Sequence, residues 1–295
     1  MKKIVPHLWF DTQAKEAAQF YTTAFSNSKI NNVSTIHDVP SPSGDSDIVS
    51  FQLRGMPFVA ISAGPIFKLN PSVSFIVNFD PKENIDEAWK KLANGGTVLM
   101  PIQEYPFSKR YGWIQDKYGV SWQLILTNPE GDERPEIVPS LLFVGANCGK
   151  AEEAIRFYLS VFKESKMGSI MPDKEGRVMF ADFKLLGTWL AAMDSAHDHK
   201  FAFNEAISLM VSCDTQKEID YYWDKLSAVP EAEQCGWLKD KYGLSWQIIP
   251  TAMGEMMSKG SREQMARVTQ AFLPMKKFDL AKLKKAFEGK VGVNQ

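Results

Sequence analysis

The chain contains its own sequence twice. GWIQDKYGVSWQ at 112–123 returns as GWLKDKYGLSWQ at 236–247, with nine of the twelve positions identical. At typical residue frequencies of about 5–7%, chance does not produce such a match. The echo extends upstream. IVPHLWF at 4–10 matches IVPSLLF at 137–143, and AKEAAQFYTTAF at 14–25 matches AEEAIRFYLSVF at 151–162. FKLNPSVSFIVNFD at 67–80 matches FAFNEAISLMVSCD at 201–214. Partners lie 133 residues apart at Pro6/Pro139, 137 at Phe20/Phe157, 134 at Trp89/Trp223 and 124 at Trp113/Trp237. The second copy has therefore gained about four residues near Asn147–Lys150 and lost about ten before Trp237. Loops absorb such changes at little cost.

At 295 residues the chain is long enough for two domains. The repeats predict a first domain at 1–128, a linker at 129–136 (with Pro129, Gly131 and Pro135), a second domain at 137–250 and a helical extension at 251–295. In the extension, Arg262–Phe272 reads as a helix, Pro274 ends it, and Asp279 caps a second helix over LAKLKKAF. Lys and Arg number 34 and Asp and Glu 35, which argues against a nucleic-acid-coating protein. No apolar run approaches the about 20 residues of a membrane span, and the N-terminus lacks a secretory h-region. Three cysteines without a C-x-x-C pair argue against disulfides and thiolate zinc, so the expected compartment is the cytoplasm.

Each copy reads as strand, helix and strands, twice over. Ala14, Ala17, Ala18, Tyr21, Ala24 and Phe25 form one helical face, as do Ala151, Ala154, Ile155, Tyr158, Val161 and Phe162. Asp80, Pro81 and Glu83 predict a helix start with a capping-box acid. Alternation predicts a helix-covered sheet face bearing Val73, Phe75, Val77, Phe79, Trp122, Leu124 and Leu126. The opposite, open face then bears His7, Trp9, Ser74, Ile76, Ser121, Gln123 and Ile125, and in the second copy Ser140, Leu142, Ser208, Ser245, Gln247 and Ile249. The arrangement is α+β, and such a mixed face suits the wall of a small-molecule cavity.

These residues resemble the PhnB-like branch of the vicinal oxygen chelate superfamily, with the glyoxalase, bleomycin-resistance and extradiol dioxygenase fold. The motifs are Phe20-Tyr21, Phe157-Tyr158, FNEAIS at 203–208, DTQKEIDYYWDKLS at 214–227, CGWLKDKYGLSWQIIP at 235–250 and FLPMKKFDLAKLKKAF at 272–287. The resemblance implies tandem domains, each made of two βαβββ modules that form a curved mixed sheet cup. It also implies a pseudo-dimer within one chain, with further homodimerisation left open. Whether each cup closes within its own repeat or exchanges modules is left open too. The branch is also described as 3-demethylubiquinone-9 3-methyltransferase-like. That chemistry is disfavoured, because no G-x-G-x-G turn is present, and Gly95-Gly96 follows a helix, where C-capping explains it.

Metal-dependent relatives carry His, Gln or Glu on the cup face. The resemblance places His7, Ala60, Ser74 and Gln123 at those positions in the first copy, and Ser140, Ala192, Ser208 and Gln247 in the second. A catalytic zinc-like site wants about three good ligands and an open position. Only His7 and Gln123 qualify as metal candidates, so the leading expectation is no cofactor, with a divalent metal in the first domain as the alternative. The plainer readings are a strand histidine hydrogen-bonded at the rim and glutamines satisfied within the sheet. His197-x-His199 lies in a polar stretch and reads as a solvated loop. Trp113, Trp237, Trp122 and Trp246 read as packing residues, and Trp9 as the stacking candidate. Cys235 has no neighbouring histidine, which leaves a nucleophile role without support.

The expected function is binding of a small organic molecule in the cup without a complete metal site. Candidate ligand contacts are His7, Trp9, Ser74, Gln123, Ser140, Ser208 and Gln247. The alternative is a metal-dependent lyase, isomerase, transferase or dioxygenase-type enzyme. A scaffold with filled cups is a further class, and methyl transfer comes last. The expected partner is a small molecule, with neither nucleic acid nor membrane.

Overall fold

The computed structural model describes residues 4–36, 45–127 and 135–290. Four modules follow the repeated sequence. The first is β1 (Ile4–Phe10), α1 (Ala14–Ala24), β2 (Lys29–Ile36), β3 (Ser46–Leu53) and β4 (Met56–Ser62). The second is β5 (Val73–Phe79), α2 (Ile85–Ala93), β6 (Thr97–Tyr105), β7 (Ser108–Gln115) and β8 (Ser121–Leu126). The third is β9 (Ile137–Phe143), α3 (Ala151–Val161), β10 (Lys166–Pro172), β11 (Val178–Leu185) and β12 (Thr188–Asp194). The fourth is shorter, with β13 (Ile207–Cys213), α4 (Gln216–Leu226), β14 (Trp237–Lys239) and β15 (Ser245–Pro250). Helices α5 (Thr251–Lys259), α6 (Arg262–Phe272) and α7 (Leu280–Glu288) complete the chain. Among the described residues no helix is long and apolar enough to cross a membrane.

The chain divides into two compact units, Pro6–Ile207 and Ser208–Gln295, the latter with residues 4–5. The boundaries expected at 128 and 137 mark the sequence repeats and fall inside the larger unit. The expected linker, 129–136, lies outside the described residues except for Pro135 and Glu136.

The reason is an exchange of modules. An eight-stranded sheet runs β10-β11-β12-β9-β5-β8-β7-β6. It joins the second module of the first repeat to the first module of the second. The join is an antiparallel β5–β9 ladder with Ser74 opposite Ser140 and Ile76 opposite Val138. Within each half the outer pairs β5/β8 and β9/β12 are parallel. The larger unit also holds the ladder β1-β4-β3-β2, and the smaller holds β14-β15-β13.

Helical periodicity places the core. Ala14, Ala17, Ala18 and Tyr21 of α1 are fully buried, as are Ala151, Ala154, Ile155 and Tyr158 of α3. The repeated DKYG-x-SW segment is structural. Asp116 Oδ1 accepts the backbone N–H groups of Tyr118 and Val120 at 2.8 and 3.1 Å, and Oδ2 accepts Trp122 Nε1–H at 2.8 Å. Asp240 repeats these bonds with Tyr242, Leu244 and Trp246. Burial pushes the Asp116 carboxyl up to about 6 against these donors. Each aspartate thus ties its turn to a fully buried tryptophan on the helix-covered face.

One local helix start differs from expectation. The helix expected from Asp80 begins later, with Asn84 as its cap, accepting from Glu87 N–H at 3.1 Å. Glu83 does reach back to the Asp80 N–H at 2.9 Å. It is held there by the buried Arg54, whose Nη1 and Nη2 donate to it at 2.7 and 2.8 Å. Arg54 also pairs with Glu136 at 3.0 Å, so one buried guanidinium ties the β3–β4 turn to the second module and to the residue just before β9.

The C-terminal extension forms as expected and gains one helix. Its helices at Arg262–Phe272 and after Asp279 form where expected, and α5 precedes them. The fourth module has no counterpart of β6, which removes an edge partner for β14. The extension supplies one. Cys235 N–H donates to Met275 O at 2.8 Å and Gly236 N–H to Lys276 O at 2.7 Å. Gly236 has no room for a Cβ because Phe278 packs on it, as Trp89 packs on the equivalent Gly112. Met256, Val268, Phe278 and Leu283 form the core of this extension, against Cys235 and Ile249.

Replacing Asp116 with alanine leaves three N–H donors without their acceptor. A loss of about 3–5 kcal/mol in urea unfolding is expected. Phe278→Ala removes the ring that seats the tail on β14. It should cost about 3–5 kcal/mol and open the Cys235 and Gly236 amides to hydrogen exchange.

Candidate functional site

On the open face of the eight-stranded sheet, cross-strand register lines up side chains from one edge towards the other. Met100 of β6 lies opposite Trp113 of β7, which lies opposite Gln123 of β8. Gln123 faces Ile76 of β5, and Ile76 faces Val138 of β9. Across the next ladder Ala191 of β12 lies beside Ser140, with Trp189 two residues earlier on the same face.

The polar centre of this wall is a directed chain of hydrogen bonds. Tyr111 Oη–H donates to Gln123 Oε1 at 2.8 Å, and Gln123 Nε2–H donates to Ser74 Oγ at 2.8 Å. Burial pushes the Tyr111 phenol up, so it stays a donor and fixes the orientation of the amide. Ser74 then keeps its own O–H proton for another acceptor. Ser140, directly opposite Ser74, is fully buried and its hydroxyl has no partner among the described residues. Further along the same face lies a cavity of about 60 Å³ lined by Ile76, Asn78, Val138, Phe180, Asp182, Trp189 and Ala191. That volume holds a small group and is well below the about 300 Å³ of a drug-sized pocket.

Two larger clefts lie elsewhere. One of about 450 Å³ between α1 and α2 is lined by Ser26, Arg54, Glu83, Glu87 and Lys91. Its charges are spent on one another, with Arg54 on Glu83 at 2.7 Å and Lys91 on Glu87 at 3.2 Å. The other, of about 460 Å³, sits under the β6–β7 hairpin beside Tyr105, Phe107 and Leu126.

The structure distributes the expected site residues unequally. Ser74, Gln123 and Ser140 come together on the eight-stranded sheet. Ser208 and Gln247 pair in the smaller unit, with Gln247 Nε2 donating to Ser208 Oγ at 2.8 Å, a copy of the Ser74–Gln123 bond. His7 and Trp9 lie on β1, which pairs with β4, so His7 and Gln123 stand on different sheets. Trp9 is committed to packing: its Nε1–H donates to Gly64 O at 2.8 Å, and its ring meets Phe67 edge-on at 5.0 Å. Ala60 and Ala192 face the helices, one residue out of register with the open face, because they pair with the core residues Leu8 and Leu141. His199 bonds Ser195 Oγ at 2.8 Å in the exposed 195–201 loop. Trp122 and Trp246 are core residues, whereas Trp113 faces outward and donates to Ser121 Oγ at 2.7 Å.

Tyr111 and Trp189 were missed by the sequence reading. Tyr111 was accessible to it by running the alternation back from Trp113. In the second repeat Cys235 replaces Tyr111, and with Ile249 it packs against the C-terminal helices.

The donor set does not fit a catalytic divalent metal. Ser74, Ser140, Gln123 and Tyr111 are neutral oxygen and amide groups. Among the described residues, no cluster of three or more His, Cys, Asp or Glu side chains is placed to hold an ion.

The family model described as 3-demethylubiquinone-9 3-methyltransferase matches residues 2–125 and 135–249, one match per repeat. The chain belongs to this family. It is 40% identical to the putative 3-demethylubiquinone-9 3-methyltransferase, PhnB protein, from Bacillus cereus, covering 42% of this chain and 99% of that one, with a TM-score of 0.39. Glyoxalase I from Zea mays is 12% identical over 82% of this chain and 92% of its own, with a TM-score of 0.52. A putative dioxygenase from Bacillus subtilis is 10% identical over 98% and 96%, with a TM-score of 0.50. These last two share the fold. No protein of curated function matches the sequence. The chain is therefore a tandem α+β protein of the glyoxalase-like fold.

His7 is buried, and desolvation lowers its pKa to about 3. The unfolded chain binds a proton near pH 6.5 that the folded chain refuses until about pH 3, so stability falls as pH falls through that window. His7→Gln removes this contribution. Between pH 7 and 4.5 the variant should lose about 2–3 kcal/mol less than wild type in urea titrations.

Proposed function

We propose that this protein binds a small organic molecule on the open face of its eight-stranded sheet, without a complete metal site. The observation that carries this reading is the Tyr111–Gln123–Ser74 chain, which ends opposite the Ser140 hydroxyl, unpartnered among the described residues, with a cavity of mixed lining further along the same face. A buried hydroxyl without a partner costs about 1–3 kcal/mol, which a ligand oxygen or amide removes. The cavity takes one end of such a molecule, and Phe180 and Trp189 flank it. The group set offers hydrogen bonds and apolar surface but no nucleophile paired with a base, which favours binding over catalysis.

The equivalent wall in the smaller unit is less suited to this role, because the extension packs on Cys235 and Ile249. The proposal thus assigns the ligand to one of the two cups. The setting is a cytoplasmic one, with the repeats acting as a pseudo-dimer.

Methyl transfer, named in the family description, has no supporting feature here. A doubly wound cofactor site needs a parallel sheet and a Gly-rich turn after its first strand. The turn between β1 and α1 is Asp11-Thr12-Gln13, and each four-stranded half of the eight-stranded sheet is mixed.

Elemental analysis of the purified protein tests the metal-free reading. Zinc, manganese, iron and nickel should all be well below one per chain, with no change in His7→Ala. A stoichiometric metal that the His7 substitution removes would restore the metal-dependent enzyme. For the ligand site, Ala191→Leu fills the cavity. Fragments bound by wild type in ligand-observed NMR should lose about tenfold or more in affinity, with circular dichroism unchanged.

A further inference from the structure

The row of side chains through Gln123 and Ile76 ends, beyond Trp189, in two lysines. Lys184 of β11 is directly opposite Trp189 of β12, and Lys166 of β10 is directly opposite Lys184. Both ammonium groups lie over the Trp189 ring, at 5.4 Å for Lys166 and 5.8 Å for Lys184. Like charges directly opposite in an antiparallel pair repel. Cation–π attraction offsets part of that repulsion. Neither ammonium pairs with a carboxylate among the described residues.

An edge strand often carries lysine to discourage further strand pairing. That explains Lys166 on β10 and leaves Lys184 unexplained, because β11 is flanked on both sides. Asp182, two residues before Lys184 on the same face, serves another purpose. Its Oδ1 accepts the Ser169 N–H at 2.7 Å, and Gly168 leaves no room for a Cβ beside it. This bond spans the register shift in β10 between Met167 and Ile170. It therefore helps set the register that brings Lys166 opposite Lys184. Trp189 is shared: it lines the cavity and underlies both lysines.

We propose that the ligand of this face is a small organic anion: a flat apolar body beside Trp189 and Phe180, with its anionic group between Lys166 and Lys184. This rests on the ligand-binding reading above and names its chemical class. An anion there relieves the repulsion between the lysines and gains charge-assisted hydrogen bonds, while the uncharged end enters the cavity over Ile76 and Val138.

The test compares two probes of equal shape, 4-fluorobenzoate and its neutral counterpart 4-fluorobenzamide, by fluorine NMR on the full-length protein. Wild type should bind the benzoate about tenfold more tightly than the benzamide. In the double variant Lys166→Gln/Lys184→Gln the benzoate should fall to the benzamide level, with the benzamide unchanged. Both lysines reach solvent, so the variant keeps the fold. Equal affinity of the two probes for wild type, or a benzoate affinity indifferent to the lysines, overturns the anion assignment alone. Failure of both probes to bind wild type overturns it together with the ligand reading. Trp189→Leu should weaken both probes, and a benzoate affinity unmoved by it also counts against the proposal.

Discussion

The β5–β9 ladder is the pairing on which the rest of the larger unit depends. It sets Ser74 against Ser140 and so welds a module of each repeat into one sheet. Because side chains alternate along a strand, this register decides which residues share the open face. A shift of one residue would set Phe75 and Pro139 there and bury the serines against the helices. The small side chains at the join leave room between the two halves. The apolar pair Ile76 and Val138 sits one step along it and floors the cavity.

The two repeats show which parts of the ancestral module are structural. The aspartate-to-tryptophan bond is the same at Asp116 and Asp240, as is the glutamine-to-serine bond at Gln123 and Gln247. Other positions have diverged. Arg54 and Leu186 occupy matching turn positions with φ near +45°, each followed by glycine, yet only the arginine ties modules together. Tyr111 holds the amide in one repeat, while in the other Cys235 leans on the carbonyls of Phe272 and Leu273. The copies thus share a frame and differ at the wall.

Much of this was legible in the amino-acid order because it is local. The faces of α1 and α3 follow from helical spacing, and the open face at Ser74 and Gln123 from alternation. The caps at Asp279 and the break at Pro274 are local as well. What escaped is long-range. The union of β5 with β9 leaves no mark within either strand. Glu83 looks like a capping residue until Arg54 claims it. Ala60 and Ala192 missed the open face by one residue, because a resemblance fixes register less tightly than a ladder does. His7 and Gln123 stand apart because the two modules of the first repeat join different sheets.

The fourth module borrows its missing edge from the end of the chain, and residues 4–5 belong to the same unit as Ser208–Gln295. During synthesis the opening residues of β1 must therefore wait for Ser208–Gln295, the segment whose unit they share. The eight-stranded sheet needs nothing beyond Asp194 and can assemble while translation continues. Birth order thus favours the sheet bearing Ser140 and leaves the smaller unit to close last, across the longest loop in the molecule.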